Sequence, residues 1–323
     1  MSFFAVLLAL VIEQFKPLPR NTWVHHLLQG WVAWTGRNFD AGRERHAWVV
    51  WFMSVGVPSL LALGLYLALR QWSLVLAMLF DVVVLYLTLG FRQFSHYFTD
   101  IRDALDRGDE TEARRLLAEW RHLDASELPR TELLRHVIEH ALLAAHRHVF
   151  GVFFWFVLLS SLGLGPMGAV LYRMAEFAAR HWATPERSLG VPVNLRLMLI
   201  ARQLFTWIDL VPSRLTAFGF AVVGNFEEAI NAWRRDAGLW LHPNEGAILA
   251  SAAGAVGVQL GGDAAPGVMP DRAASDATAA EGLTGAGQVP QVGHLRSVVG
   301  LVWRSVVLWL LLVALLTLAN LVG

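Results

Sequence analysis

The residues best placed to do chemistry are two opposite charges inside one long apolar stretch. Asp209 and Arg214 lie five positions apart within residues 198–224, a stretch long enough to cross a hydrocarbon core. A charged side chain near mid-bilayer costs roughly 3 kcal/mol, so both should face a protein interior or a wet cavity. Pro212 removes a backbone donor and predicts a break near residues 208–212. A functional cavity and a structural ion pair between helices both remain open.

A second polar group precedes this stretch. Apolar residues at helical spacing predict a helix from about Pro129 to His146, with a polar face opposite its apolar face. Intramembrane ionisable residues mark candidate functional sites. The sequence therefore predicts one polar cavity lined by Asp209, Arg214, Glu139, Arg147, His146 and His148.

The same helix offers a candidate metal pair. His136 and His140 are four residues apart and can point in one direction, as metal-ligating pairs do. Glu139 does not directly follow the first histidine, so the pattern differs from HExxH. A solvated polar face at the membrane surface is the favoured interpretation, and a metal site is the alternative.

Composition predicts the class of protein that must position these residues. The chain is 55% hydrophobic and only 16% charged, with a mean hydropathy of +0.47, which is too apolar for soluble domains. The apolar runs are residues 3–12, 47–69, 72–90, 149–172, 198–224 and 305–322. We predict an all-α, polytopic integral membrane protein with about five to six membrane segments. Gly163, Gly165 and Pro166 interrupt the fourth run, which could be one kinked span or a re-entrant pair.

The charges predict orientation and exclude several functions. Nine arginines lie between Arg92 and Arg147, so the positive-inside rule places residues 92–147 in the cytoplasm. The 26 basic and 26 acidic residues balance, so nothing points to a nucleic-acid partner. The chain has no cysteine, which excludes thiol catalysis and a zinc ribbon. No GxxxxGK[ST] or GxGxxG motif occurs, so a Walker or Rossmann nucleotide site is not supported.

The sequence divides into six predicted segments. They are N-terminal membrane segments over 1–91 with a short first helix, an amphipathic connection and a transmembrane hairpin at 47–90; a cytoplasmic helical module over 92–147; a membrane core with broken helices over 148–224; a polar helix, a turn and a small-residue helix over 225–262; a disordered linker over 263–295; and a C-terminal transmembrane anchor over 296–323. In the cytoplasmic module Gly108 predicts a helix end, and Asp109 with Glu112 predicts the capped start of helix 110–120.

A series of short motifs resembles the CobD/CbiB family of cobalamin synthesis. In order they are Gly108-Asp109, Glu112-Ala113-Arg114, Pro212-x-Arg214-Leu215-Thr216-Ala217, Gly224-Asn225, Glu228-Ala229, Ala232-Trp233-Arg234, Pro243-Asn244-x-Gly246 and Leu260-Gly261-Gly262. The resemblance implies that ten of these motif positions are candidate site residues: Arg114, Pro212, Asn225, Glu228, Trp233, Pro243, Asn244, Gly246, Gly261 and Gly262. The resemblance implies an activity that uses ATP to attach aminopropanol phosphate to adenosylcobyric acid through an amide.

The chain also departs from the family pattern. The positions of a Glu-Asn-x-x-Asp-Gly motif hold residues 143–148 here, with only the earlier Glu139 kept, and Phe205-Thr206 replaces paired aspartates. Trp120-Arg121-His122-Leu123 stands in place of a Gly-Arg-Asp-Thr motif. ATP-dependent acyl activation needs carboxylates to hold magnesium, and most of these are missing. The N-terminal residues 1–13, residues 146–155 and residues 208–215 are instead similar to the AmpE branch, inner-membrane proteins linked to β-lactamase regulation.

These observations predict an AmpE-like, non-catalytic signalling or regulatory protein of the bacterial inner membrane, with several membrane passes. It would bind a ligand or partner in the polar cavity. The alternative is an adenosylcobinamide-phosphate synthase, and a membrane scaffold is a third possibility. The prediction leans against an enzyme and assigns no cofactor, with ATP and magnesium required only by the enzyme alternative. The expected partners are the lipid bilayer and an unidentified small molecule or membrane or cytoplasmic protein.

Overall fold

The computed structural model describes residues 2–15, 23–39, 44–121, 124–183, 195–261, 284 and 287–322. In chain order the helices are α1 (Ser2–Phe15), α2 (Trp23–Phe39), α3 (Glu44–Trp51), α4 (Val57–Trp72), α5 (Leu74–Thr88), α6 (Phe91–Asp106), α7 (Glu110–Arg121), α8 (Arg130–Ala145), α9 (Gly151–Ser161), α10 (Met167–Ala183), α11 (Leu195–Ile208), α12 (Leu210–Val223), α13 (Phe226–Asp236), α14 (Pro243–Val256) and α15 (Val292–Val322). Within these ranges no strand forms, and an isolated β-bridge joins Val258 to Gln288. The predicted all-α class is confirmed.

The chain divides into two compact units. Unit 1 comprises Met1–Gln93, Arg147–Pro212 and Val313–Gly323, and unit 2 comprises Phe94–His146 and Ser213–Leu312. Each unit joins stretches that are distant in sequence. The six-segment division remains a prediction.

Helix α10 lies at the centre of unit 1. Its buried residues Ala175, Ala178 and Trp182 pack in one apolar cluster with Val50 and Leu197. Small residues on α10 let its neighbours approach closely, and a Cβ at Gly168 would collide with the backbone carbonyl of Trp155 on α9. The core of unit 1 is therefore built by close contact between helix backbones.

The chain reverses direction between α9 and α10. Gly163 and Gly165 have φ values of +81° and +57°, a left-handed conformation that glycine adopts without a steric penalty. Pro166 follows, and α10 then packs back along α9. Residues 149–172 therefore contain two helices joined by a turn instead of one kinked helix, and the re-entrant pair stays a prediction.

The predicted break near Pro212 is also confirmed. Helix α11 ends at Ile208 and α12 begins at Leu210, so only Asp209 separates them. Proline cannot donate to the carbonyl four residues earlier, which weakens the helical ladder at this point. The Asp209 N–H still donates to the Phe205 carbonyl at 2.8 Å, so the interruption is confined to this one residue, which is 5% exposed.

Three helical stretches are long and apolar enough to cross a membrane: His46–Trp72, Arg130–Ser161 and Val292–Ala319. Shorter apolar helices cover Phe3–Phe15, Leu74–Thr88 and Leu210–Val223. Large apolar side chains on these helices face outward, as with Leu61 at 67% and Leu315 at 62% exposure, which favours a membrane protein. The count of five to six spans remains a prediction.

The helical stretch Arg130–Ser161 crosses a predicted boundary between two segments. The sequence predicts a cytoplasmic helix that ends near His146 and a membrane segment that begins at residue 148. In the structure α8, a π-helical turn over His146–Phe150 and α9 form one continuous helical run, Arg130–Ser161. No glycine or proline lies between residues 130 and 150 to end the helix, so the change in polarity alone does not interrupt it.

Glycines bring α13 against α14 in unit 2. A Cβ at Gly246 would collide with the carbonyl oxygen of Ala237, and one at Gly254 with that of Glu228. These contacts join opposite ends of the two helices, so α13 and α14 run antiparallel. The sequence also predicts a turn at residues 242–246, but Pro243 starts α14, so these residues are largely the first turn of a helix.

The C-terminal helix begins earlier than predicted. α15 starts at Val292, so the last residues of the predicted linker 263–295 are helical. Thr284 also pairs with Leu260, with its N–H donating to the carbonyl of Leu260 at 2.8 Å. Residues 263–283, 285 and 286 lie outside the described residues.

Candidate functional site

Arg214 and Asn244 form the polar contact at the amino-terminal end of α14. The Arg214 Nη1 donates to Asn244 Oδ1 and to Ser213 Oγ, each at 3.1 Å. Asn244 is 5% exposed and occupies the second position of α14. These two bonds fix the direction of the guanidinium relative to α14. An oriented arginine beside a helix amino terminus can bind phosphate.

A second contact fixes the direction of α14 relative to α12. Ser251 Oγ donates to the carbonyl of Ala217 at 2.6 Å. Asn244 precedes Ser251 along α14, and their partners Arg214 and Ala217 occur in the same order along α12. Helices α12 and α14 therefore run in the same direction. Ser251 is fully buried, and its hydroxyl is satisfied by the backbone of α12.

Helix α8 contributes two further buried polar contacts within unit 2. His146 Nδ1 lies 2.9 Å from Thr216 Oγ1, and Glu139 Oε1 accepts the Gly261 N–H at 2.8 Å. The two residues are seven positions apart, about 10 Å along a helix axis. We call Glu139, His146, Arg214, Thr216, Asn244 and Ser251 the polar strip.

The polar face of α8 is buried, which corrects the predicted solvated face. Arg135, His136 and Glu139 are 6%, 2% and 5% exposed. Arg135 Nη1 pairs with Glu132 Oε1 at 2.6 Å, and Arg121 Nη1 lies 2.9 Å from His136 Nδ1. A guanidinium only donates, so Nδ1 of His136 is the acceptor.

These contacts give the candidate metal pair different roles. His136 is bonded to Arg121, and the ring of His140 packs edge-on against Trp120 with ring centroids 4.5 Å apart. Across the described ranges no group of three or more His, Cys, Asp or Glu side chains could hold a metal ion.

The six residues predicted to line one cavity divide between the units. Glu139, His146 and Arg214 belong to unit 2, whereas Arg147, His148 and Asp209 belong to unit 1. In unit 1 the Tyr172 hydroxyl donates to Asp209 Oδ1 at 2.8 Å. A single cavity lined by all six residues stays a prediction.

The remaining family-motif positions have structural contacts. Arg114 Nε donates to the Leu128 carbonyl at 3.0 Å and its Nη2 to Glu110 at 2.9 Å, which ties α7 to the segment before α8. Asn225 caps α13 by accepting the Glu228 N–H at 3.4 Å. Trp233 is partly buried and Pro243 begins α14. Gly262 lies outside the described residues.

Sequence reasoning missed four residues with specific roles. Trp155 and Tyr172 support the helix break in unit 1, and Ser251 joins α12 to α14. Thr216 belongs to a family motif that by itself gives it no role in a site. Ser251 and Thr216 carry isolated hydroxyls in apolar helices. Because a buried hydroxyl needs a hydrogen-bond partner, their position in the sequence could have predicted a specific contact.

Outward apolar faces, a broken apolar helix and an internal polar strip are the features of a helical membrane protein. A family model described as CobD/Cbib protein matches residues 3–281. The chain therefore belongs to the CobD/CbiB family.

Named relatives agree with this assignment. A cobalamin biosynthesis protein CobD from Stutzerimonas stutzeri is 32% identical over 281 residues, which cover 85% of this chain and 84% of that protein. Proteins of the same name from Chromobacterium violaceum and Mycobacterium tuberculosis are 32% and 31% identical over 67% and 54% of each chain, respectively. No solved structure matches the chain.

The comparisons contradict the predicted function. The relatives carry the name of a biosynthetic protein, so the non-catalytic regulatory prediction is wrong. That prediction relied on missing carboxylates, yet Mg²⁺ can be held largely by substrate phosphates with one or two carboxylates. The likeness to the AmpE branch finds no support in these relatives.

Proposed function

We propose that this protein is an adenosylcobinamide-phosphate synthase, an enzyme that joins adenosylcobyric acid to aminopropanol phosphate with the consumption of ATP. Membership of the CobD/CbiB family and the names of its relatives support this proposal. The apolar helices support a location in the bacterial inner membrane with several passes.

The contact between Arg214 and Asn244 is the structural observation that carries the proposal. Both substrates named above, ATP and aminopropanol phosphate, bear phosphate groups. A guanidinium binds phosphate through charge-assisted hydrogen bonds, and the amino-terminal turn of α14 adds a favourable dipole. Arg214 would bind a substrate phosphate, and Asn244 would hold its guanidinium in place.

Mg²⁺ would enter with ATP as part of the substrate. It commonly keeps several waters and is held through phosphate oxygens plus one or two carboxylates. This arrangement does not require the acidic motifs that are absent from this chain. Arg214 and Asn244 would then act mainly by orienting the phosphate-bearing substrates, which contributes strongly to reactions between two bound molecules.

The test is product formation by detergent-purified protein supplied with adenosylcobyric acid, aminopropanol phosphate, ATP and Mg²⁺. An active family member serves as the positive control, and the amide product is measured by mass. We expect product from the wild type and a loss on the order of 100-fold in kcat/KM for Arg214→Ala, because a charge-assisted bond to phosphate contributes about 1.5–3 kcal/mol.

Arg115→Ala is the matched control because Arg115 is an exposed arginine of unit 2 that pairs with Glu112. Its activity should equal that of the wild type. A folded wild-type protein that makes no product beside an active control would overturn the proposed activity. Full activity in Arg214→Ala would overturn the role of Arg214 alone.

A further inference from the structure

The carboxylate of Glu139 makes a buried contact that spans 122 positions of sequence. Its Oε1 accepts the backbone N–H of Gly261 at 2.8 Å, and Glu139 is 5% exposed. Gly261 has a φ of +87°, a conformation that side chains other than glycine rarely adopt. The contact therefore depends on a specific acceptor on α8 and on a glycine at position 261.

Gly261 ends a segment that is itself well bonded. Helix α14 stops at Gly257, which has a φ of +72°. Gln259 N–H then donates to the Gln288 carbonyl at 2.8 Å, and Gln288 N–H donates to the Gly257 carbonyl at 2.9 Å. Leu260 N–H also donates to Thr284 Oγ1 at 3.1 Å. Residues 257–261, which we call the terminal segment, therefore form a fixed extension of α14.

We infer that Glu139 is a positioning residue for the phosphate-binding end of α14. This inference rests on the proposed function. Glu139 holds the terminal segment against α8, whereas Asn244 lies at the opposite end of α14. The helix has 14 residues and so extends about 21 Å. Because an α-helix moves along its axis as one body, an anchor at its carboxyl end acts together with the α13 contacts at Gly246 and Gly254 to set the position of Asn244 at its amino end.

The position of Asn244 matters because Asn244 orients Arg214. Their hydrogen bond is 3.1 Å long, near the upper limit for an N–H···O bond, so a small shift of α14 would break it. A misplacement of about 1 Å can lower a reaction rate on the order of 100-fold. Glu139 acts through α14 and does not itself touch the substrates.

The test compares Glu139→Gln with Glu139→Leu. Glutamine keeps a carbonyl oxygen that can accept the Gly261 N–H, whereas leucine fills similar space without an acceptor. We expect Glu139→Gln to keep kcat/KM within about twofold of wild type and Glu139→Leu to lose on the order of 10-fold to 100-fold. The control is Glu127→Leu, an exposed glutamate of unit 2, which should keep wild-type activity.

A double-mutant cycle separates positioning from a general loss of stability. The contact of Glu139 with Gly261 and the side chain of Asn244 lie at opposite ends of α14, and independent effects at such distances multiply. If Glu139 acts through Asn244, then Glu139→Leu combined with Asn244→Ala will be no slower than Asn244→Ala alone. Multiplying effects would overturn the inference. Loss of activity in Glu139→Gln equal to that in Glu139→Leu would also overturn it, because it would indicate a need for the charge.

Amide hydrogen exchange supplies a measurement that does not depend on activity. A peptide covering residues 257–261 should exchange at least 10-fold faster in Glu139→Leu, with wild-type protection in Glu139→Gln and Glu127→Leu. Unchanged protection in Glu139→Leu would overturn the anchor even in an active enzyme. Lost protection in a protein without synthase activity would instead show that the anchor exists and that the proposed function is wrong.

Discussion

The indole N–H of Trp155 donates to the backbone carbonyl of Ile208 at 3.0 Å. That carbonyl lies four residues before Pro212, so in an uninterrupted helix it would accept an N–H from position 212. Proline has no N–H to offer. Trp155 therefore supplies the donor that Pro212 lacks, and the break between α11 and α12 leaves this carbonyl satisfied in apolar surroundings.

Replacing Trp155 with phenylalanine should destabilise the protein. Trp155→Phe keeps an aromatic ring but removes the donor, so the free energy of unfolding should fall by about 1–3 kcal/mol, the cost of leaving a buried acceptor unpaired. Denaturant unfolding in detergent measures this change. The control is Trp207→Phe, since Trp207 is 72% exposed on α11. Equal effects of the two changes would contradict this role for Trp155.

A cycle with Pro212 tests the same relationship from the other side. Pro212→Ala restores an N–H that can bond the Ile208 carbonyl within the helix. Trp155→Phe should then cost less in the Pro212→Ala background than in the wild type, by about 0.5–2 kcal/mol of coupling. Unfolding of the four proteins under one condition gives the value. Strict additivity would show that Trp155 does not replace the missing donor.

Gly246 should not tolerate a methyl group. Gly246→Ala places a Cβ against the carbonyl oxygen of Ala237, so α13 must move away from α14 at a cost of about 1–3 kcal/mol. Gly300→Ala is the control because its Cβ would meet nothing within 4 Å. There the alanine should stabilise α15 by up to about 1 kcal/mol. Thermal unfolding should move in opposite directions for the two variants.

The start of α7 depends on the side chain of Asp109. Its Oδ1 accepts the Glu112 N–H at 3.0 Å, and Gly108 before it has a φ of +79°. Asp109→Ala should reduce the free energy of unfolding by about 1 kcal/mol, whereas Asp109→Ser should retain most of it because serine also caps helices. Chemical denaturation distinguishes these outcomes. Equal losses in both variants would show that the effect of Asp109 on stability does not come from its capping bond.

Local signals in the sequence predicted these local features well. Gly108 and Asp109 gave the end of one helix and the start of the next, and the predicted helix 110–120 is observed as Glu110–Arg121. Pro212 predicted the break that separates Ile208 from Leu210. Capping, backbone conformation and a missing N–H act between residues a few positions apart, so the sequence carries them directly.

The function of the protein was harder to predict from the sequence than its local structure. The missing carboxylate motifs led to a regulatory interpretation, which the relatives contradict. A motif records only one arrangement of ligands, whereas a phosphate can also be held by an arginine and a helix amino terminus. The contact between Arg214 and Asn244, 30 positions apart, supplies such an arrangement, and neither residue reveals it alone.

The sequence by itself determined the helical class, the apolar character, the helix end at Gly108, the helix start at Asp109 and the break at Asp209, because each follows from composition or from neighbours along the chain. Only the tertiary structure decided that the polar face of α8 is buried. It also decided that Glu139 meets Gly261 and that Trp155 serves Ile208. A polar face is stable in solvent or in a protein interior that supplies partners. Here those partners come from segments distant in sequence, and folding alone brings them together.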